Sequence, residues 1–104
     1  MNITYRPSDY LTEVPEPPSW MNDLKAKLFT HHCTFFVEQG AMLKHGLDAL
    51  NILCDLESRM IEVKLNNEPV DIETYQVHKD YCEWFCIDNN VDKRIDELNL
   101  NAGD

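Results

Sequence analysis

The chain has 104 residues and carries 19 Asp and Glu against 9 Lys and Arg, a formal net charge of −10. That length suits one small domain with a single core, and 43% hydrophobic residues, 10% aromatic residues and only three glycines exclude wholesale disorder. The longest uninterrupted apolar run is four residues, Trp84 to Ile87, against the roughly twenty that a membrane span needs.

Residues 1–18 hold four of the five prolines, Pro7, Pro15, Pro17 and Pro18, and show no helical periodicity. They read as an extended Pro-rich arm, and Pro15-Glu16-Pro17-Pro18 favours polyproline II geometry. Ile3, Tyr5, Tyr10, Leu11 and Val14 give the arm apolar surface to set against its own domain or a partner. Residues 19–104 then read as a single helical domain. Ser19 is the expected N-cap of a first helix, with Trp20, Met21, Leu24 and Leu28 on its core face and an end near His31 or His32. From Thr34 to Leu65 apolar residues recur at spacings of three and four, which predicts one long helix with Gly40 and Gly46 as weak points. Asn66-Asn67 closes it, and Pro69 opens a third helix over 70–87. On that helix Val70, Val77, Tyr81, Trp84 and Phe85 fall on one arc, widened by Tyr75, Cys82 and Cys86. Glu73, Gln76, Lys79, Asp80 and Glu83 fall on the other. A short fourth helix runs from Val91 to Leu100. The fold class is therefore mostly α, three or four helices behind an extended arm. The alternative is α+β, because Ile61, Val63, Leu65, Val70 and Ile72 alternate with charged residues around Asn66-Asn67-Glu68-Pro69, a hairpin pattern at about 60–73.

No motif identifies a reaction. The chain lacks G-x-S-x-G, H-E-x-x-H and any phosphate-cradling glycine loop, so no catalytic residue is assigned and no enzyme is expected. Cys33, Cys54, Cys82 and Cys86 read as free thiols of a reducing compartment. His78, Cys82 and Cys86 form His-x3-Cys-x3-Cys at one-turn spacing and are the candidates for a metal. Zinc modules more often present C-x2-C at turns, so neither metal nor cofactor is expected. The first twenty residues lack the apolar stretch of a secretory signal, which places the protein in the cytoplasm, of a host cell if it is viral.

Charge is the feature that exceeds expectation. Residues 1–52 carry 6 acidic and 4 basic side chains, residues 53–104 carry 13 and 5. Such an excess disfavours direct contact with nucleic acid or anionic lipid and suits a protein partner with a basic surface. Glu73, Asp80, Glu83, Asp92, Asp96 and Glu97 form the expected docking face, with Tyr5, Tyr10 and Trp20 as apolar anchors. The expected function is a non-catalytic acidic regulator or inhibitor of a nucleic-acid-processing protein, by analogy with small acidic proteins that block restriction or CRISPR enzymes. The alternative is a structural subunit or assembly factor, in a larger complex or a homodimer, held by an apolar helix face and the arm. In the plainest reading the acids only solvate the outside of a helical domain.

Overall fold

Four α-helices and two short 3-10 turns make up the regular structure of a computed structural model that describes residues 5–100. The helices are α1 (Asp23–Glu38), α2 (Leu47–Leu65), α3 (Ile72–Phe85) and α4 (Val91–Glu97). The protein is mostly helical, with no strand among the described residues. The chain divides into two compact units, 1–51 and 52–104, with the boundary inside α2.

In the first unit the arm is tied down. Its residues 1–4, Ile3 among them, lie outside the described residues. Pro7–Asp9 forms a 3-10 turn in which the Asp9 carboxylate accepts from the Arg6 N–H at 2.7 Å. The chain then forms a lone antiparallel bridge, Tyr10 opposite Leu43, and Leu11 N–H donates to Met42 C=O at 2.7 Å. The Tyr5 ring lies 5.4 Å from the His45 ring and 6.2 Å, edge-on, from Tyr10. The first helix starts later than the sequence predicts. Ser19 sits in a turn closed by Met21 N–H to Pro18 C=O, and the capping side chain is Asn22, which accepts from Lys25 N–H at 2.8 Å. The stripe is consequently displaced: Leu28, Phe29, His32, Cys33 and Phe36 are buried, while Trp20 is 66% exposed beneath Lys25 Nζ. Spacing of one, three and four residues along that set is the period of a helix buried on one face. The helix runs past His32 because Phe36 extends the stripe by another turn.

The predicted long helix from Thr34 to Leu65 is two helices. Gly40 takes φ +65°, its N–H bonds to Val37 C=O, and Ala41 N–H bonds to Phe36 C=O, a Schellman closure that ends α1. The same closure recurs at every helix C-terminus, with Asn67, Cys86 and Asn99 at φ 57°, 60° and 56°. Glu68, Ile87 and Leu100 N–H groups then reach back to the carbonyls of Val63, Cys82 and Ile95.

In the second unit that closure at Asn67 decides against the hairpin. Ile61 to Leu65 continue α2, and after the turn Asp71 caps α3 by accepting from Thr74 N–H at 3.1 Å. The third helix thus begins at Ile72, not at Val70. Burial contradicts strand alternation as well, since Ile61 is fully buried and Ile72 is 69% exposed. Helix α4 is shorter than predicted, ending at Glu97, and its cap is Asn90, which accepts from Lys93 N–H. Buried apolar side chains of this unit are Leu53, Cys54, Met60, Ile61, Cys82, Val91 and Ile95.

Left-handed backbone strains an L-residue, least for Gly and Asn. Cys86 is the one such closure held by neither, and its side chain is exposed and loses little when removed. Cys86→Gly is therefore expected to raise unfolding stability by up to about 1 kcal/mol, read as a higher urea midpoint at unchanged slope.

Candidate functional site

Two features of the second unit carry chemistry, one buried and one on its surface. The buried one begins with Glu57. Along α2, Leu53, Glu57 and Ile61 succeed one another at i, i+4 and i+8, so the helical spacing that buries the two aliphatic residues buries the carboxylate between them. It is 0% exposed. A buried carboxylate survives only with partners on its oxygens, and two more helices provide them. His78 of α3 brings Nε2 to 2.6 Å from Glu57 Oε2, and Arg94 of α4 donates Nε–H to Glu57 Oε1 at 3.0 Å. Arg94 is itself fixed: Nη2 donates to the Asp88 carbonyl at 2.7 Å and Nη1 reaches both Glu97 oxygens at 3.3 Å. Asp88, in the loop before α4, has its carboxyl held below the usual range by the Asn90 N–H and, further, by Lys93.

Cys82, one turn after His78, completes the cluster, with Sγ 3.4 Å from His78 Nε2 and 3.9 Å from Nδ1. Burial, reinforced by the Glu57 carboxylate and only partly offset by Arg94, pushes its thiol up to about 12. Cys82 is thus a protonated thiol at neutral pH, in contrast to the thiolate that a nucleophilic cysteine needs. The geometry also differs from a Cys–His–acid relay, where thiol and carboxylate address opposite nitrogens of the ring. Here the thiol lies beside both ring nitrogens and nearer to Nε2, the one the carboxylate addresses. Of the metal candidates read from the sequence, His78 and Cys82 come together with Glu57, whereas Cys86 is exposed at the end of α3 and lies outside the cluster. Cys33 and Cys54 are buried and outside any disulfide among the described residues, and burial raises the pKa of Cys33.

The surface feature is the outer side of α3. Glu73, Val77, Asp80 and Trp84 follow at i, i+4, i+7 and i+11, one stripe in which carboxylates alternate with apolar side chains; all four are exposed. Trp84 is 63% exposed, its ring set edge-on against Phe85 at 4.7 Å. Beside it runs a second exposed stripe, Ile72, Gln76, Lys79 and Glu83. Glu73, Asp80 and Glu83 form no ion pair with any described residue. The predicted acidic face is otherwise internally engaged: Asp92 accepts from Lys64 Nζ at 3.0 Å, and Glu97 holds Arg94. Asp96 is exposed on α4. The predicted anchors Tyr5, Tyr10 and Trp20 belong to the first unit, where Tyr5 and Tyr10 contact each other and Trp20 carries Lys25.

Glu57 and Arg94 are members of the buried cluster that the sequence reading passed over. Each announces itself as a charge within an apolar stripe, Glu57 between Leu53 and Ile61 and Arg94 beside Val91 and Ile95. Comparison of the chain with models of known protein families, with curated proteins and with solved structures finds no match. The functional reading accordingly rests on these side chains alone.

Removing one member of a buried charge pair leaves the other uncompensated, at a cost of about 3–5 kcal/mol. Arg94→Met is expected to cost that much in urea denaturation, and adding Glu57→Leu to recover a good part of it. A double mutant no more stable than Arg94→Met alone would show that the pair is not coupled.

Proposed function

We propose that this protein is a non-catalytic, acidic protein-binding regulator that docks through the outer side of α3 on a basic surface of its partner. The observation that carries this reading is the exposed stripe Glu73, Val77, Asp80 and Trp84, whose carboxylates form no ion pair with any described residue and interleave with an apolar residue and a tryptophan. Interface energy concentrates in aromatic residues, and carboxylates beside them select a partner rich in Lys and Arg, whose aliphatic stems and cationic heads match both components. The net charge of −10 adds long-range steering of the same sign. Asp92, Asp96 and Glu97 extend the negative field along α4, although Asp92 and Glu97 already answer a cation of their own chain.

Basic protein surfaces with apolar walls are frequently those built for nucleic acid, which contacts them through phosphates and stacked bases. The finer form of the proposal is accordingly an inhibitor that occupies such a surface, Glu73, Asp80 and Glu83 standing where phosphates would lie and Trp84 where a base would stack. A second reading, a structural subunit or a homodimer, is favoured by Ile72, Val77 and Trp84 being exposed together on α3. In that case contact is mainly apolar and salt matters little. The arm is engaged at Tyr10 and Leu11 with Met42 and Leu43 of its own unit.

The test is salt-graded capture of partners from a nuclease-treated lysate, with wild-type protein and the triple reversal Glu73→Lys, Asp80→Lys, Glu83→Lys. A partner released by rising salt and bound at least about tenfold more weakly by the triple variant is the expected result. Equal retention by both proteins at low salt contradicts the acidic docking face, and salt-resistant self-association of the wild type makes the homodimer the better reading.

A further inference from the structure

We propose that Glu57, His78 and Cys82 form a binding site for a divalent metal ion of the zinc class. One oxygen, one nitrogen and one sulfur from α2 and α3 lie within 4.8 Å of one another, and all three residues are fully buried. A single imidazole nitrogen, His78 Nε2, faces both Glu57 Oε2 at 2.6 Å and Cys82 Sγ at 3.4 Å, and Nδ1 of the same ring lies 3.9 Å from that sulfur. Without an ion, Nε2–H serves the carboxylate and Nδ1 is the acceptor left for the thiol, at the longer distance. A cation among the three would take one lone pair each from oxygen, nitrogen and sulfur.

The donor set selects the ion. Calcium and magnesium require several oxygens, and this cluster supplies one residue with oxygen donors. Imidazole nitrogen, thiolate sulfur and carboxylate oxygen together suit zinc, whose bonds of about 2.0–2.3 Å place tetrahedral ligands roughly 3.3 Å (N and O) and 3.5 Å (N and S) apart. Measured from His78 Nε2, the sulfur already stands near that separation and the oxygen must withdraw by less than about 1 Å, while oxygen and sulfur lie within 4.8 Å of each other. Arg94 holds the other Glu57 oxygen, Oε1, and so orients the carboxylate with Oε2 toward the ion, as outer partners of metal ligands do. Charge closes as well: Glu57 and the Cys82 thiolate neutralise a doubly charged ion, while Glu97 answers Arg94. On binding, Cys82 coordinates as the thiolate and its proton leaves to solvent. No fourth His, Cys, Asp or Glu among the described residues joins the cluster, so the fourth position falls to water or a backbone group. The ion would cross-link α2 and α3 in the interior, independently of what docks on the outer side of α3.

The experiment uses the full chain without an affinity tag, purified without chelator for elemental analysis, then stripped and titrated with Co2+. Expected are about one equivalent of metal per chain, a thiolate-to-cobalt charge-transfer band displaced by Zn2+, and a higher melting midpoint with Zn2+. Cys82→Ser should abolish the band and Cys86→Ser should keep it. Glu57→Gln should weaken binding while leaving the sulfur ligand in place, and circular dichroism would establish that each variant is folded. The triple α3 reversal should bind metal as the wild type does, which separates failure of this site from failure of the docking reading. No band from wild-type protein with excess Co2+, or a band lost in Cys86→Ser and kept in Cys82→Ser, overturns the proposal.

Discussion

The Glu57 carboxylate organises the second unit. Taking such a group out of water costs several kcal/mol after relaxation, so it fixes whatever neutralises it. One oxygen is answered from α3 by His78 and the other from α4 by Arg94, so a single side chain on α2 determines where two further helices must lie. Apolar contact alone is nondirectional and tolerates sliding. The pairs to His78 and Arg94 set distance and register, and Arg94 passes the constraint to the Asp88 carbonyl and to Glu97.

This constraint explains how α3 is turned. With His78 and Cys82 directed inward, the residues half a turn away, Glu73, Val77, Asp80 and Trp84, must face out. The third helix is therefore oriented by polar chemistry, and its largest apolar side chain is left on the surface. Trp84 is thus exposed beside Glu73 and Asp80, two carboxylates that form no ion pair with any described residue, and this is the surface on which the proposed docking rests. Interior and exterior of α3 are thus two consequences of one placement. An ion held by Glu57, His78 and Cys82 would tighten the same arrangement.

Much of the architecture was legible in the sequence because helix termini are local events. Asn66-Asn67 and Asp88-Asn89-Asn90 mark real boundaries, since short amide side chains cap N-termini and tolerate the left-handed residue that closes C-termini. Gly40 was legible as a weak point, but not as a full stop, because a glycine within a periodic stretch fits a kink as well as a closure. Ser19 misled because the tight turn from Pro18 to Met21 competes with a helix for the same residues. The apolar arc predicted for α3 held only in part, with Cys82 buried and Tyr81 and Phe85 half-buried but Val77 and Trp84 exposed, and for a different reason. A helical wheel buries the greasier side, whereas here a histidine and a cysteine are drawn inward by a glutamate 21 residues earlier in the chain. That partnership is tertiary, so His78 and Cys82 were recognisable as a pair, while Glu57 and Arg94 showed only as charges within apolar stripes and not as their partners. Cys86, equally well spaced in sequence, is removed by the left-handed turn at its own position.

If the Glu57 carboxylate is what binds α3 and α4 to α2, neutralising it should loosen all three elements together. Native-state hydrogen exchange on Glu57→Gln against wild type tests this most directly. The account predicts a common loss of protection across the α2 segment after Ile52, α3 and α4. Loss confined to α4, with α3 amides as slow as in the wild type, would contradict it and make Glu57 a partner of Arg94 alone.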